Sequence, residues 1–251
     1  MKQLILLFFL LCTPAHPREA IERAANSDFA VNYSINDQKG VLLFVDGFVL
    51  VAGGVEDRLF ECVFDLEKEC WYDFDAGKPL QMTTLVECQK WVEKSLEKSK
   101  ATLAEKNNPK VADPIARRFT EMLVEPRFEV IRDGNRVKMT NEFFAYDVEM
   151  LPKEKLSVGQ KQRLCTYGQL NVYRSALRPP KLLSLVSIEL NNEIKRADSY
   201  PARISFNVKV IAEVSVNTTF EYRDITGDEK ALGKRFIQEI RGASIDESTR
   251  K

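Results

Sequence analysis

The stretch RISFNVKVIAEVSVNTTFEYR, residues 203–223, decides the fold. Ile204, Phe206, Val208, Val210, Ala212, Val214, Val216, Phe220 and Tyr222 put apolar side chains at even positions, with Thr218 the one break. The odd positions carry Arg203, Ser205, Asn207, Lys209, Glu213, Ser215, Asn217, Thr219, Glu221 and Arg223, with Ile211 the exception. A period of two, held without glycine or proline, means β structure with one dry and one wet face. Parallel strands buried on both faces do not alternate in this way, so an antiparallel sheet is predicted. One extended strand of this length would span roughly 60 Å. A tight turn or bend is therefore expected near Ile211. Phe206, Val208, Val210 and Val214 are expected to be buried, with Lys209 and Glu213 exposed.

Upstream, the order reads β, helix, β, helix, β. Residues 17–27 can form a short helix. Gly40 opens VLLFV, Asp46-Gly47 marks a turn, and FVLVA follows before Gly53-Gly54. Segments 58–65 and 70–75 form the clearest hairpin. Phe60, Cys62 and Phe64 point one way, and Cys70, Tyr72 and Phe74 can share that face. Glu61, Asp65, Asp73 and Asp75 then face water. A helix is predicted from Thr84 to about Glu105, with Leu85, Cys88, Val92 and Leu96 on one stripe. A second helix, from Ala112 to Glu125, stops before Pro126. Strands return at 128–132, 136–140 and 142–151. Helices around 157–177 and 181–197 are separated by Arg178-Pro179-Pro180, because proline cannot continue a helix. Residues 228–241 read as a last amphipathic helix or a frayed tail. The predicted fold class is α+β: a curved, mostly antiparallel, half-barrel-like sheet with amphipathic helices packed on its apolar face. Residues 16–251 are read as one domain, with 104–113 the best candidate for a boundary.

The 251 residues carry 37 basic and 37 acidic side chains with interspersed signs. That balance argues against a nucleic-acid partner, which selects a basic surplus. The N-terminus reads as a secretory signal: Lys2, then the apolar run Leu4–Cys12, then Thr13-Pro14-Ala15 with cleavage after Ala15. The run is too short to span a bilayer, and no later segment predicts a transmembrane helix. Export to a periplasmic or extracellular space is expected. Lipid anchoring through Cys12 is the less favoured alternative, because Leu11 stands where a lipoprotein signal wants a small residue. The chain's one histidine, His16, falls at the expected mature terminus. Ser-His-Asp, Cys-His and histidine-ligated metal chemistry are therefore not expected.

Export permits disulfides among Cys62, Cys70, Cys88 and Cys165. Cys62 with Cys70 and Cys88 with Cys165 are the candidate pairs, and four buried thiols are the alternative. No CxxC spacing supports zinc. The acids Asp65, Glu67, Glu69, Asp73 and Asp75 lack the spacing of a calcium loop and read as a solvated sheet face. Ser95-Leu96-Glu97-Lys98 lacks the companion motifs of a serine acyl enzyme. No cofactor, metal or catalytic residue is assigned. Asn32-Tyr33-Ser34 and Asn217-Thr218-Thr219 are glycosylation sequons in a eukaryotic setting.

The segment VFDLEKECWYDFDAG, Val63–Gly77, is similar to hairpins of uncharacterised exported bacterial proteins. The order of one-sided strands and inserted helices resembles the lipoprotein-carrier superfamily, the periplasmic LolA-like half-barrels. That resemblance implies an open curved sheet with helices in its concavity and an apolar hollow that takes lipid or lipoprotein acyl chains. It transfers no individual functional residue. The expected function is a non-enzymatic exported protein that binds a lipid or other hydrophobic ligand on the concave face. The candidate ligand-binding residues are Phe60, Phe64, Tyr72, Phe74, Phe206, Val208, Val210 and Val214. The alternatives are a structural or protein-interaction module of the cell envelope with a plugged core, and a hydrolase that uses carboxylates.

Overall fold

The computed structural model describes residues 28–53, 60–74, 80–105, 112–177, 183–209 and 213–242. The reading of residues 1–27 as signal and short helix, and the side chain of Val210, lie outside them. Six strands come first: β1 Phe29–Ile35, β2 Gln38–Val45, β3 Phe48–Gly53, β4 Cys62–Asp65, β5 Cys70–Asp73 and β6 Gln81–Thr84. Helices α1 Leu85–Ala104 and α2 Pro114–Val124 follow. Strands β7 Glu129–Asp133, β8 Arg136–Thr140 and β9 Phe144–Met150 lead into α3 Val158–Ala176. A single 3-10 turn, Leu183–Val186, precedes α4 Ser187–Ala197. Strands β10 Pro201–Lys209 and β11 Glu213–Asp224 and helix α5 Gly227–Gly242 complete the chain.

The strands form one sheet in the order β6-β5-β4-β3-β2-β1-β11-β10-β9-β8-β7, every neighbouring pair antiparallel. The sheet curves without closing, so this is the expected α+β class. The long alternating stretch folds back on itself, with Lys209 opposite Glu213 and Arg203 opposite Thr219. The expected reversal near Ile211 is therefore present between β10 and β11. Two strands, β1 and β6, do not figure in the sequence reading. β1 is the seam, paired with β2 on one side and β11 on the other.

The two faces are covered differently. On the inner face, α1 and α3 bury a core that includes Phe29, Phe44, Phe64, Trp71 and Cys88. Also on that face, α2 and α4 pack against β8 and β9 around Met139, Phe144, Val148 and Leu190. On the outer face, α5 buries Val45, Leu50, Val63, Cys70 and Tyr72 with its Ile237 and Ile240. Strands β2 and β3 are thus buried on both sides, which is why VLLFV and FVLV are continuously apolar.

The hairpin β4–β5 corrects the sequence reading. Its register sets Phe64 opposite Trp71 and Asp65 opposite Cys70. The connection, Leu66–Glu69, has an even number of residues. Even-numbered residues of the two strands therefore fall on opposite faces. Cys62 and Phe64 face inward, whereas Cys70 and Tyr72 face α5. Cys62 and Cys70 lie on opposite sides of the sheet, and no disulfide joins any of Cys62, Cys70, Cys88 and Cys165. Among the acids, Glu67 and Glu69 are exposed as expected, Asp73 is half-buried, Asp75 lies outside the described residues, and Asp65 is the correction. Asp65 is buried, where its Oδ1 accepts from the backbone N–H groups of Glu67 and Lys68 at 3.1 and 3.0 Å. Among the described residues, no helix is long and apolar enough to cross a membrane.

Candidate functional site

Helix α3 builds the inner wall of the site. Its start is fixed by a capping box: Ser157 Oγ accepts from Gln160 N at 3.2 Å, and Gln160 Oε1 accepts from Ser157 N at 2.9 Å. Tyr167 then meets the sheet edge-on, 5.1 Å from the Phe64 ring and 5.9 Å from that of Phe44. One turn earlier, the buried guanidinium of Arg163 lies 5.5 Å from the rings of both Phe29 and Phe44. Two turns later, Arg174 Nε and Nη2 donate to Asp73 Oδ1 at 2.9 and 2.6 Å. These contacts hold α3 across β1–β5. Helix α4 is held over β9 by Leu190 and Ile194 and by a hydrogen bond between Ser187 and Tyr146, 3.0 Å long.

Between those attachments the helices do not fill the inner face. A hollow of about 490 Å³ remains under α3 and α4. Its sheet wall is apolar: Val31, Leu42 and Val51 on one side of the seam, Phe206, Val216 and Phe220 on the other. Along β11 it runs from Val216 to Tyr222, roughly 20 Å at the usual rise of a strand. The hollow is therefore a slot that runs along β11. The Tyr33 ring lines it because the opposite residue is Gly40. A Cβ there would sit 2.3 Å from the ring, so only glycine lets the ring lie flat on the sheet.

The helix wall is mixed and almost uncharged: Leu164 and Val172 from α3 and Leu190 and Ile194 from α4 are apolar, and polar groups stand between them. It presents Gly168, Asn171 and Ser175 from α3, and Ser187 and Asn191 from α4. Glu61 and Arg174 are the charged residues among the described lining. Burial raises the Tyr33 hydroxyl pKa, with the Glu61 carboxylate adding to it. Burial also pushes Tyr146 up to about 12, against a hydrogen bond from Ser187, and raises Tyr167 and Tyr222. The phenols stay neutral donors at physiological pH.

Of the eight side chains expected to hold ligand, Phe206 lines the hollow. Phe64 is in the inner core beneath Tyr167. Phe60, Tyr72 and Phe74 belong to the outer face under α5, where Phe236 packs 4.8 Å from Phe60 and 5.3 Å from Phe74. Val208 is half-buried beside Phe144 at the far end of β10, outside the lining. Val214 is 54% exposed, so its expected burial is corrected. It is the second residue of β11, opposite Val208. Val210 lies outside the described residues. The alternation itself points the right way: Ile204, Phe206, Val216, Thr218, Phe220 and Tyr222 all line the hollow. They are half-buried rather than buried because the hollow, not packed side chains, lies over them.

Sequence reasoning missed Val31, Leu42 and Val51, and also the polar helix residues. Val31 lies on the unseen seam strand β1, whereas Leu42 and Val51 lie on strands that were read but not assigned to a ligand face. Asn171, Ser175 and Asn191 lie in segments read only as helices, and the three-dimensional arrangement turns them toward the hollow. Cys165 also lines the hollow rather than bonding to Cys88, whose thiol donates to Tyr173 O at 3.2 Å. No known protein family matches the sequence, and no curated protein matches it.

Proposed function

We propose that this chain is an exported, non-enzymatic protein that binds a hydrophobic ligand in the hollow between its curved sheet and helices α3 and α4. One observation carries the reading: the inner face is lined for roughly 20 Å by apolar strand residues that the helices leave uncovered. A sheet filled as core would leave no such space, which favours binding over a plugged structural module. The volume of about 490 Å³ falls in the range of small-molecule sites. Each methylene transferred from water contributes ~0.8 kcal/mol. A chain of about ten methylenes therefore gains enough to offset association costs that begin near ~4 kcal/mol. An open antiparallel sheet with helices on its inner face is also what the likeness to LolA-like carriers implies. The apolar run Leu4–Cys12 supports export.

An environment-sensitive, uncharged dye such as Nile red is expected to bind with saturation. Val216→Trp, which fills the slot, should weaken the dye at least tenfold while far-UV circular dichroism stays unchanged. Val214→Trp, on an exposed position of the same strand, should leave binding intact. Equal binding by the Val216→Trp protein would remove the hollow from consideration.

A further inference from the structure

We infer that the hollow selects an uncharged long-chain amphiphile, an acyl ester or alcohol, and discriminates against the corresponding fatty-acid anion. The inference rests on the hollow being a ligand site and adds the chemistry of the head group. A site for a carboxylate head would need a cation left available to it. Among the described lining residues the cation is Arg174, and two of its nitrogens are already committed to Asp73 at 2.6 and 2.9 Å. The other charged lining residue is the carboxylate Glu61, which carries the wrong sign. Its influence reaches both Tyr33 and Tyr167, whose pKa values it raises in addition to burial. An anionic head in this space would meet a carboxylate without gaining a counter-ion.

What the helix wall does offer is neutral hydrogen bonding. Asn171, Ser175 and Asn191 face the hollow, and among the described residues none of their side chains is hydrogen-bonded. Asn191 stands over Gly168, where an added Cβ would meet the amide at ordinary van der Waals distance, 3.6 Å. Side-chain amides both donate and accept, which suits an ester carbonyl or a hydroxyl as well as each other. The apolar strand wall faces them, and Leu164, Val172, Leu190 and Ile194 add apolar surface on the helix side. Hydrocarbon is thus surrounded, while the neutral amides and hydroxyl of the helices take an uncharged polar group.

The test compares 1-dodecanol with dodecanoate as competitors of Nile red on the full chain, at about pH 8 where the acid is ionised. The alcohol is expected to compete at least tenfold better than the acid. Glu61→Gln should narrow that gap by improving the acid alone. Equal or stronger competition by dodecanoate would overturn the inference while leaving the hollow as a ligand site. Failure of both competitors and of the dye, with the protein folded by circular dichroism, would overturn the ligand site and this inference with it. If Glu61→Gln does not fold, the wild-type comparison decides by itself.

Discussion

Three buried or half-buried acids tie the helices to the sheet, each at a different place. Asp28 accepts from Lys230 on α5 at 2.7 Å, lies 3.8 Å from Arg163 on α3, and accepts from the backbone of Asp46 at 3.1 Å. Glu193 on α4 is buried and receives Arg132 from edge strand β7 together with Arg196 from its own helix. Asp73 receives Arg174. Breaking a buried ion pair is costly mainly because it strands the other charge. Arg174 is the more buried partner, so the two halves of its pair should not be equivalent. Asp73→Ala leaves a guanidinium against Phe64 with nothing to neutralise it, and should cost about 2–4 kcal/mol in urea unfolding. Arg174→Leu removes the buried charge and leaves the carboxylate near solvent, so it should cost clearly less. Equal losses, or the reverse order, would mean that the pair matters for contact rather than for charge.

At the scale of elements, α5 shows how local chemistry fixes a whole face. It reaches the outer surface closely because Gly233 has no side chain: a Cβ there would lie 3.1 Å from Val45. Its first turn is held by a capping box, Thr226 Oγ1 accepting from Glu229 N at 3.3 Å and Glu229 Oε2 from Thr226 N at 2.9 Å. Arg223 adds two charge-assisted bonds to the same carboxylate at 2.8 and 2.6 Å. Those bonds to Arg223 lead the causes that hold the Glu229 pKa down to about 2, below its ordinary 4.5. A carboxylate with a depressed folded-state pKa stabilises above its unfolded pKa and loses that contribution as pH falls through the folded value. The contribution of Glu229 is therefore complete above about pH 4.5 and fades toward about pH 2. Glu229→Gln should cost about 1 kcal/mol at neutral pH and flatten the acid limb of a thermal-stability profile. An unchanged limb would place the acid sensitivity elsewhere. The same scale explains what could be read in the sequence. Strands β10 and β11 were legible because one face is wet, and the first four helices because their stripes or caps are clean, whereas 228–241 read as a helix or a frayed tail until the structure made it α5. β1 was not, since it lies between two neighbours and its first residues are covered on both faces. The side-chain parity of β4–β5 depends on the length of a four-residue turn, which hydrophobic pattern does not specify.

For the whole molecule, the decisive feature is the β1–β11 seam, where Phe29 stands opposite Asp224 and Ile35 opposite Thr218. One half of the sheet is a meander of β1–β6, the other a meander of β7–β11, and each contributes a wall of the hollow. Neither half encloses the slot without the other. A chain ending at Lys209 would leave β1 and β10 with bare edges and no α5. It should lose the cooperative urea transition reported by Trp71 and Trp91 fluorescence; a retained sharp transition would show that the seam is dispensable. The seam also has a meaning in time. Its two strands are about 190 residues apart in sequence, and closing a loop of that size costs roughly 4–5 kcal/mol of chain entropy before any contact compensates it. Such pairings form late. A ribosome must release the chain as far as Asp224 before the first described strand can find this partner, so the newborn chain stays open, and threadable, until β11 has emerged.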